Sequence, residues 1–513
     1  MAETANRVIK NTGYLYLKMA ITVFISLYTT RLILNSLGAS DFGIYNIVGG
    51  AISMLGFLNS TMAWTTQRFI NYSEGEGNSE KTKAIFNVSL VLHFIIALST
   101  GLILLISAFI LFNGVLNIPV SRTFAAEVVY GSLVISTMFT VMTAPYDAVM
   151  NAHENMKYYS LIGIAESILK LLVAFACVWT SHDKLIVYGI LMACIPLITL
   201  TVMRIYCHKY YKECVISPKR YWDKEVFKEI ASFAGWNFMG STTSLFGNYG
   251  LGVVLNHFFG SLLNAAQGIA NQLNGMLMAF SNNMLKALNP VITKQEGAGN
   301  HKQVIKNSLT GSKFSFLLLA VFAYPCIIEM PFVLKIWLKN VPEWAVIFAI
   351  LQLIRTLIEQ LTMVLGTAIG AEGHIATYNK INSILNLMPI VFASILFAAG
   401  FSPVFMYVLN IIVFGILKDI SAIVVMHKNC KMPYMQFIKE LLLPVIKMTV
   451  IVLLISCIPL CLMQDGWIRL FVICILSTLS MAIVSWRITF NDNERKILKD
   501  VFIKYSSKLH KAK

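Results

Sequence analysis

The sequence predicts an all-α polytopic membrane protein. About fourteen transmembrane helices are expected, as two pseudo-symmetric six-helix lobes around a central cavity with two further helices at the C-terminus. Three observations carry that prediction. The 513 residues are 57% apolar and only 13% charged, against roughly 25% charged in a soluble domain. Apolar runs of about 20 residues, long enough to span about 30 Å of hydrocarbon, recur along the chain. A soluble-looking octet occurs twice in this apolar background, as "EGEGNSEK" at Glu74–Lys81 and "EGAGNHKQ" at Glu296–Gln303.

Hydropathy, broken at charged, Gly and Pro clusters, places the spans near 12–37, 44–68, 84–112, 123–145, 157–180, 185–207, 229–256, 262–288, 308–334, 343–370, 376–399, 402–426, 440–463 and 467–489. The opening "MAETANRVIKN" runs into the first apolar stretch without a small-residue cleavage site, so that span is expected to be its own insertion signal. With both termini cytoplasmic, 31 of the 41 Lys and Arg residues fall in cytoplasmic segments or the helix turns beside them. That asymmetry sets the orientation. It also accounts for the net charge of +16 as a topology signal, helped by anionic headgroups, rather than as a nucleic-acid footprint. The nine cysteines show no metal-type pairing and read as free apolar filler.

The octets expose an internal repeat. A shift of 222 positions aligns Gly13 with Gly235, Gly38 with Gly260, Ile47 with Ile269, Met62 with Met284 and one octet with the other. Past the third span a shift of 219 does better, matching Ala152 to Ala371 and Tyr159 to Tyr378. Each octet then becomes the cytoplasmic turn between the second and third helix of its lobe, with glycines at helix-ending positions. Six spans per copy is an even number, so both copies insert the same way up, as a parallel repeat. The domain organisation that follows is a lobe at 1–207, a cytoplasmic loop at 208–228, a lobe at 229–427, two added helices at 428–489 and a basic tail at 490–513.

Candidate lumen residues come from polarity at helical spacing. Gln267, Asn271 and Asn274 form one stripe, and Asn237, Ser241, Ser244 and Asn248 another. Amides are costly against lipid, so these face another helix or water. Basic residues within spans are Lys18, Arg31, Lys170, Arg355 and Lys447. Lys18, Arg31 and Lys447 lie near span ends, where snorkelling suffices. Lys170 and Arg355 lie near mid-span, where each costs about 2.5–3.5 kcal/mol on the insertion scale. Both have acids at helical spacing, Glu166 and Glu359. Either these pairs neutralise themselves, or they form a wet site for an anionic substrate with a carboxylate left to titrate. His93, alone on an apolar face, reads as a hydrogen-bonded core residue. No P-loop, metal constellation or nucleophile elbow occurs, so no enzyme, metal or cofactor is expected, and transport would be secondary.

The stretch "TTRLILNSLGASDFGIYNIVGG" (Thr29–Gly50) resembles the signature of the oligosaccharide flippase family. "TQRFINYSEGEGN" (Thr66–Asn78) and "PYDAVMNAHENMKYYSLIGIAESILKL" (Pro145–Leu171) resemble its lipopolysaccharide and O-antigen translocase branch. The family belongs to the multidrug/oligosaccharidyl-lipid/polysaccharide exporter (MOP) superfamily, whose members have two six-helix lobes. The resemblance implies a flippase for an undecaprenyl-diphosphate-linked glycan in the bacterial inner membrane, with polysaccharide polymerase and assembly proteins as partners besides the bilayer. It implies a cationic lumen for the diphosphate, with Arg31 as the basic residue inside the matching motif; Lys18, Lys170 and Arg355 join it as candidates, with Glu166 and Glu359 as coupling acids. Rivals on the same scaffold are a lipid II flippase and a multidrug/cation antiporter. A membrane-bound polymerase or ligase would need a large outward loop, and no expected outward loop exceeds about a dozen residues.

The orientation is testable. In a background lacking the nine cysteines, Asn78→Cys and Asn300→Cys should react with membrane-impermeant maleimide only after the cells are opened. Labelling of either from outside intact cells contradicts the topology.

Overall fold

A computed structural model describes residues 2–53, 56–115, 118–338, 340–496, 498–500 and 503. Among these residues every regular element is helical. The long elements are α1 (Ala2–Ser53), α2 (Gly56–Glu76), α3 (Ser79–Ile110), α4 (Thr123–Ala152), α5 (Met156–Trp179), α6 (Lys184–Tyr210), α7 (Lys224–Phe259), α8 (Ser261–Gly297), α9 (His301–Ile328), α10 (Ala345–Glu372) and α11 (Ala376–Ala398). They are followed by α12 (Val404–Cys430), α13 (Tyr434–Leu462) and α14 (Trp467–Thr489). Among the described residues, eleven helices are long and apolar enough to cross a membrane. Three expected spans fall short of that mark: the stretch from 39 through α2, whose residues 54–55 lie outside the described set, and helices α7 and α8. The last two carry the amide and hydroxyl stripes, which lower their hydropathy. Fourteen is therefore an approximate count.

The repeat is visible in the backbone. Gly38 breaks α1 at φ 79°, ψ 166°, and its counterpart Gly260 separates α7 from α8 at φ 78°, ψ −177°. Both values lie in a region essentially restricted to glycine. The octets also match. Asn78 and Gly77 donate their N–H groups to the Ser73 and Glu74 carbonyls, and Asn300 and Gly299 to those of Gln295 and Glu296. Gly77 and Gly299 have φ of 73° and 72°. These are two copies of the Schellman helix stop, which satisfies the last carbonyls of a helix and calls for glycine. The octet is repeated because the same stop is built twice.

The chain packs as two compact units, Lys10–Phe238 and Met239–Lys513 with Met1–Ile9. In the first, α4 is the hub and packs on α2, α3 and α6; in the second, the counterpart α10 packs on α8, α9 and α12. Lipid tails are as apolar as leucine, so close packing rather than expulsion from water holds such helices together. Gly189 of α6 shows how: a Cβ there would lie 2.9 Å from Val129 Cγ2 of α4. The segment after α6 belongs to the first unit, where Asn87 donates to the Val215 carbonyl and accepts from the Ser217 N–H, both at 2.8 Å. The start of α7 does too, since Phe233 stacks on Trp64 and meets Phe69 edge-on.

Ion pairs close the ends of each unit. Arg122, leading into α4, donates from Nε to Asp41 at 2.9 Å and from its two terminal nitrogens to Asp183. The Asp183 carboxyl is held below its ordinary range, first by these bonds from Arg122. In the second unit, α13 and α14 are fastened to α9. Arg469 forks onto Glu329 with Nη2···Oε2 at 2.9 Å, Tyr324 bonds Thr449 at 2.6 Å, and Lys313 reaches Glu494 beyond α14 at 2.8 Å. Lys313 and Glu494 are 2% and 4% exposed, so removing one partner leaves a buried charge alone. All nine cysteines are free. His93 is buried and donates from Nδ1 to the Ser89 carbonyl at 2.7 Å, as expected of a core histidine.

Gly38→Ala and Gly260→Ala should each destabilise by about 1–3 kcal/mol, read as a lower unfolding midpoint in detergent. Gly13→Ala and Gly235→Ala, in helix with open space around them, should leave it unchanged or slightly raised.

Candidate functional site

Each unit contains a polar cavity, and the two are built from corresponding positions. The first lies among α1, α4, α5 and α6, lined by Lys18, Thr140, Thr143, Asp147, Tyr159, Glu166 and Thr199, with a volume of about 140 Å³. The second lies among α7, α8, α10, α11 and α12. It encloses about 270 Å³ and is lined by Ser244, Asn248, Arg355, Glu359, Gln360, Thr362, Tyr378, Asn386, Phe414, Lys418 and Asp419. The 219-residue shift carries Thr140 to Glu359, Thr143 to Thr362, Tyr159 to Tyr378 and Thr199 to Lys418. Four lining positions therefore coincide, but the charge at them does not.

In the first cavity the cation is Lys18. Its Nζ stands 4.2 Å from the centre of the Tyr159 ring. Glu166 lines the same cavity and pairs with Lys170 at 2.7 Å. In the second cavity two cations share one aromatic ring. Lys418 Nζ lies 4.4 Å and the Arg355 guanidinium 5.3 Å from the centre of Phe414. A π-helical turn over Ile411–Leu417 immediately precedes Lys418; such turns re-aim the side chains around them and concentrate at functional sites. Arg355 Nε stands 3.2 Å from Glu359 Oε1 but makes no hydrogen bond among the described residues. Its donor fork is thus not consumed by a two-point carboxylate pair. Asp419 accepts from Thr362 Oγ1 at 2.5 Å.

The sequence candidates separate as follows. Arg355, Glu359 and Asn248 meet in the second cavity, and Lys18 and Glu166 in the first. Lys170 pairs with Glu166 from outside the lining, with its side chain 42% exposed. Arg31 and Asn271 are exposed and line neither cavity. Gln267 is half-buried, while Asn274 accepts from Thr356 Oγ1 at 2.7 Å, an interhelical bond between α8 and α10. Lys418, Asp419, Asp147 and the two tyrosines are cavity residues that sequence reasoning did not single out. Lys418 sits close enough to a cytoplasmic flank to be counted with the topology charges. The repeat offered a signal, since Tyr159 and Tyr378 were already aligned by it.

No protein-family profile and no curated protein matches the sequence. Solved structures share its fold. A MATE transporter in the bent conformation is 12% identical with a TM-score of 0.72, covering 84% of this chain and 97% of its own. An outward-facing multidrug-resistance MATE transporter of the MOP superfamily is 13% identical with a TM-score of 0.68, covering 83% and 95%. A MOP-superfamily transporter from Pyrococcus furiosus, described as having a binding pocket of reversed polarity that suggests a different function, is 14% identical with a TM-score of 0.69, covering 85% and 96%. At these identities the likeness is one of fold, and the fold is that of the MATE transporters of the MOP superfamily.

The two cavities predict different costs for the same substitution. Thr362→Val strips Asp419 of a bond from another helix and should destabilise by about 1–3 kcal/mol. Thr143→Val should be near neutral, because that hydroxyl bonds only the Phe139 carbonyl of its own helix, at 2.9 Å. Unfolding midpoints of the two variants in detergent distinguish them.

Proposed function

We propose that this protein is a secondary transporter that works by alternating access and moves an undecaprenyl-diphosphate-linked oligosaccharide, an O-antigen or other surface-polysaccharide unit, across the bacterial inner membrane. The observation that supports this most is the pairing of Arg355 and Lys418 on one wall of the larger cavity. A diphosphate brings adjacent negative charges, and a cavity wall of low dielectric strengthens their attraction to two cations. Arg355 offers the planar fork that suits phosphate oxygens, and Lys418 a compact point charge. Asn248, Asn386, Gln360 and Tyr378 supply amide and hydroxyl groups of the kind that bond sugar hydroxyls. Lys18 gives the smaller cavity a cation of its own. The motif resemblance in the first lobe favours the same substrate class.

A multidrug or cation antiporter is the second reading. Glu359 and Asp419 in the cavity with the cations favour it, since a carboxylate that binds and releases a cation is what antiport requires, and the fold neighbours include multidrug transporters.

Arg355→Ala and Lys418→Ala should each reduce surface glycan by tenfold or more, about 1.4 kcal/mol or more of lost substrate or transition-state binding, while the protein still inserts. Arg355→Lys should be milder but not silent. Removing Lys170 together with Glu166 should leave export intact, as no lone charge is left behind and no lining cation is lost. If the double change of Arg355 and Glu359 to Ala restores full export, the pair is structural and the diphosphate assignment fails. Drug efflux abolished by Asp419→Asn, with glycan export unaffected by Arg355→Ala, establishes the antiporter instead.

A further inference from the structure

We propose that the octet end of the first unit is a divalent-metal site formed by Glu74, His153 and Glu213, suited to a first-row transition dication such as Zn²⁺, Mn²⁺ or Co²⁺. The three come from the last turn of α2, the C-cap of α4 and the turn after α6. One potential ligand atom from each lies within 4.8 Å of the others. His153 Nε2 stands 3.1 Å from Glu74 Oε1 and also meets Glu213 Oε1 directly. An N–H points in one direction and hydrogen-bonds only one of those oxygens well. A neutral imidazole lone pair and two carboxylate oxygens, by contrast, converge naturally on one ion. Metal–ligand bonds of about 2.0–2.2 Å place neighbouring ligand atoms about 3–3.5 Å apart, which the His153–Glu74 separation matches, whereas the closer His153–Glu213 contact would open to admit the ion.

The histidine is preorganised. Its ring stacks on Tyr211 with centroids 4.1 Å apart and planes 5° from parallel. The Tyr211 hydroxyl in turn accepts from Asn155 Nδ2 at 3.0 Å. The turn that carries His153 is pinned by Asn155 and Glu154 N–H bonds to the Met150 and Asn151 carbonyls, both 3.0 Å. The two carboxylates are the more buried partners, with Glu213 10% and Glu74 17% exposed, while the His153 side chain is 31% exposed and leaves the site open to ions from solvent.

The second unit supplies an internal comparison. The octet glutamate is present there as Glu296, but it meets His301 of the following helix at 2.8 Å. The repeat puts Glu372 where His153 stands in the first unit. Among the described residues the three-ligand convergence occurs once, in the first unit. One imidazole nitrogen with two carboxylates favours transition metals over Mg²⁺ or Ca²⁺, which take oxygen ligands. A bound ion would tie the ends of α2 and α4 to the segment leading into α7. Protons compete for the imidazole, so affinity falls in acid.

The experiment uses full-length protein in detergent, stripped with EDTA and titrated with Co²⁺. About one equivalent should bind per chain, with visible d–d bands that Zn²⁺ abolishes. The unfolding midpoint should rise with either ion and stay fixed with Mg²⁺ at the same concentration. His153→Gln and Glu213→Gln should each lose the stoichiometric binding yet keep a metal-free midpoint near that of the parent. His301→Gln, at the corresponding octet contact, should bind normally. Glu74→Gln replaces either variant that does not fold. Wild-type protein that takes up no Co²⁺ at roughly tenfold molar excess, or a folded His153→Gln that still binds one equivalent, overturns the proposal and leaves an ordinary histidine–carboxylate contact. Neither readout involves transport, so the outcome is separate from that of the substrate assignment.

Discussion

Hydrocarbon gives a polar side chain nothing to bond, and the placement of charge in this chain follows from that constraint. Single serine and threonine hydroxyls bond a carbonyl one turn back on their own helix, as Thr137, Thr140, Ser167 and Ser394 do. Charged groups need more than that. Many pair across helices, as in Arg122 with Asp41 and Asp183, Lys313 with Glu494, and Arg469 with Glu329; others line a cavity, and Lys170 pairs with Glu166 one turn back on its own helix. The pairs do mechanical work. Lys313 with Glu494 and Arg469 with Glu329 tie α14 and the segment after it to α9, and removing one partner of either pair leaves a buried charge alone.

The repeat shows how one scaffold is kept while its chemistry diverges. The hub helices α4 and α10 pack on corresponding neighbours, and the chain breaks at Gly38 and Gly260 have the same backbone geometry. These features depend on packing and on φ/ψ, which admit few residue types. Cavity-lining positions are under no such restriction. A threonine in one cavity stands where the other has Glu359, and another where it has Lys418. The result is one cavity with a single cation, Lys18, beside two acids and another with two cations beside two acids. Corresponding positions of the two units therefore carry different charge on a repeated backbone frame.

The octets join the two themes. Their glycines serve one purpose in both units, a helix stop. Their first glutamate serves two: Glu74 meets His153, which also meets Glu213 from a distant part of the first unit, whereas Glu296 meets the nearby His301.

What the sequence determined by itself is whatever depends on composition, period or local backbone. Apolar run length gave most of the helices, with several of their limits displaced by one to three turns. The 222-residue shift gave the repeat, because Gly38/Gly260 and Gly77/Gly299 need conformations that few other residues accept. Arg355, Glu359, Glu166 and Asn248 were legible as cavity residues because polarity deep in a span is conspicuous. Tertiary structure alone decided which charges share a space. Lys418 near a helix end, Asp419 beside it and Asp147 look like flanking charges in one dimension. A π-helical turn and the packing of α10 against α12 bring Lys418 to the same ring as Arg355. Likewise, no spacing relates Glu74, His153 and Glu213, since convergence of three helix ends is a property of how helices pack. Hydropathy reads depth along one helix, whereas a site depends on the rotation of several helices about their axes, which only their mutual packing fixes.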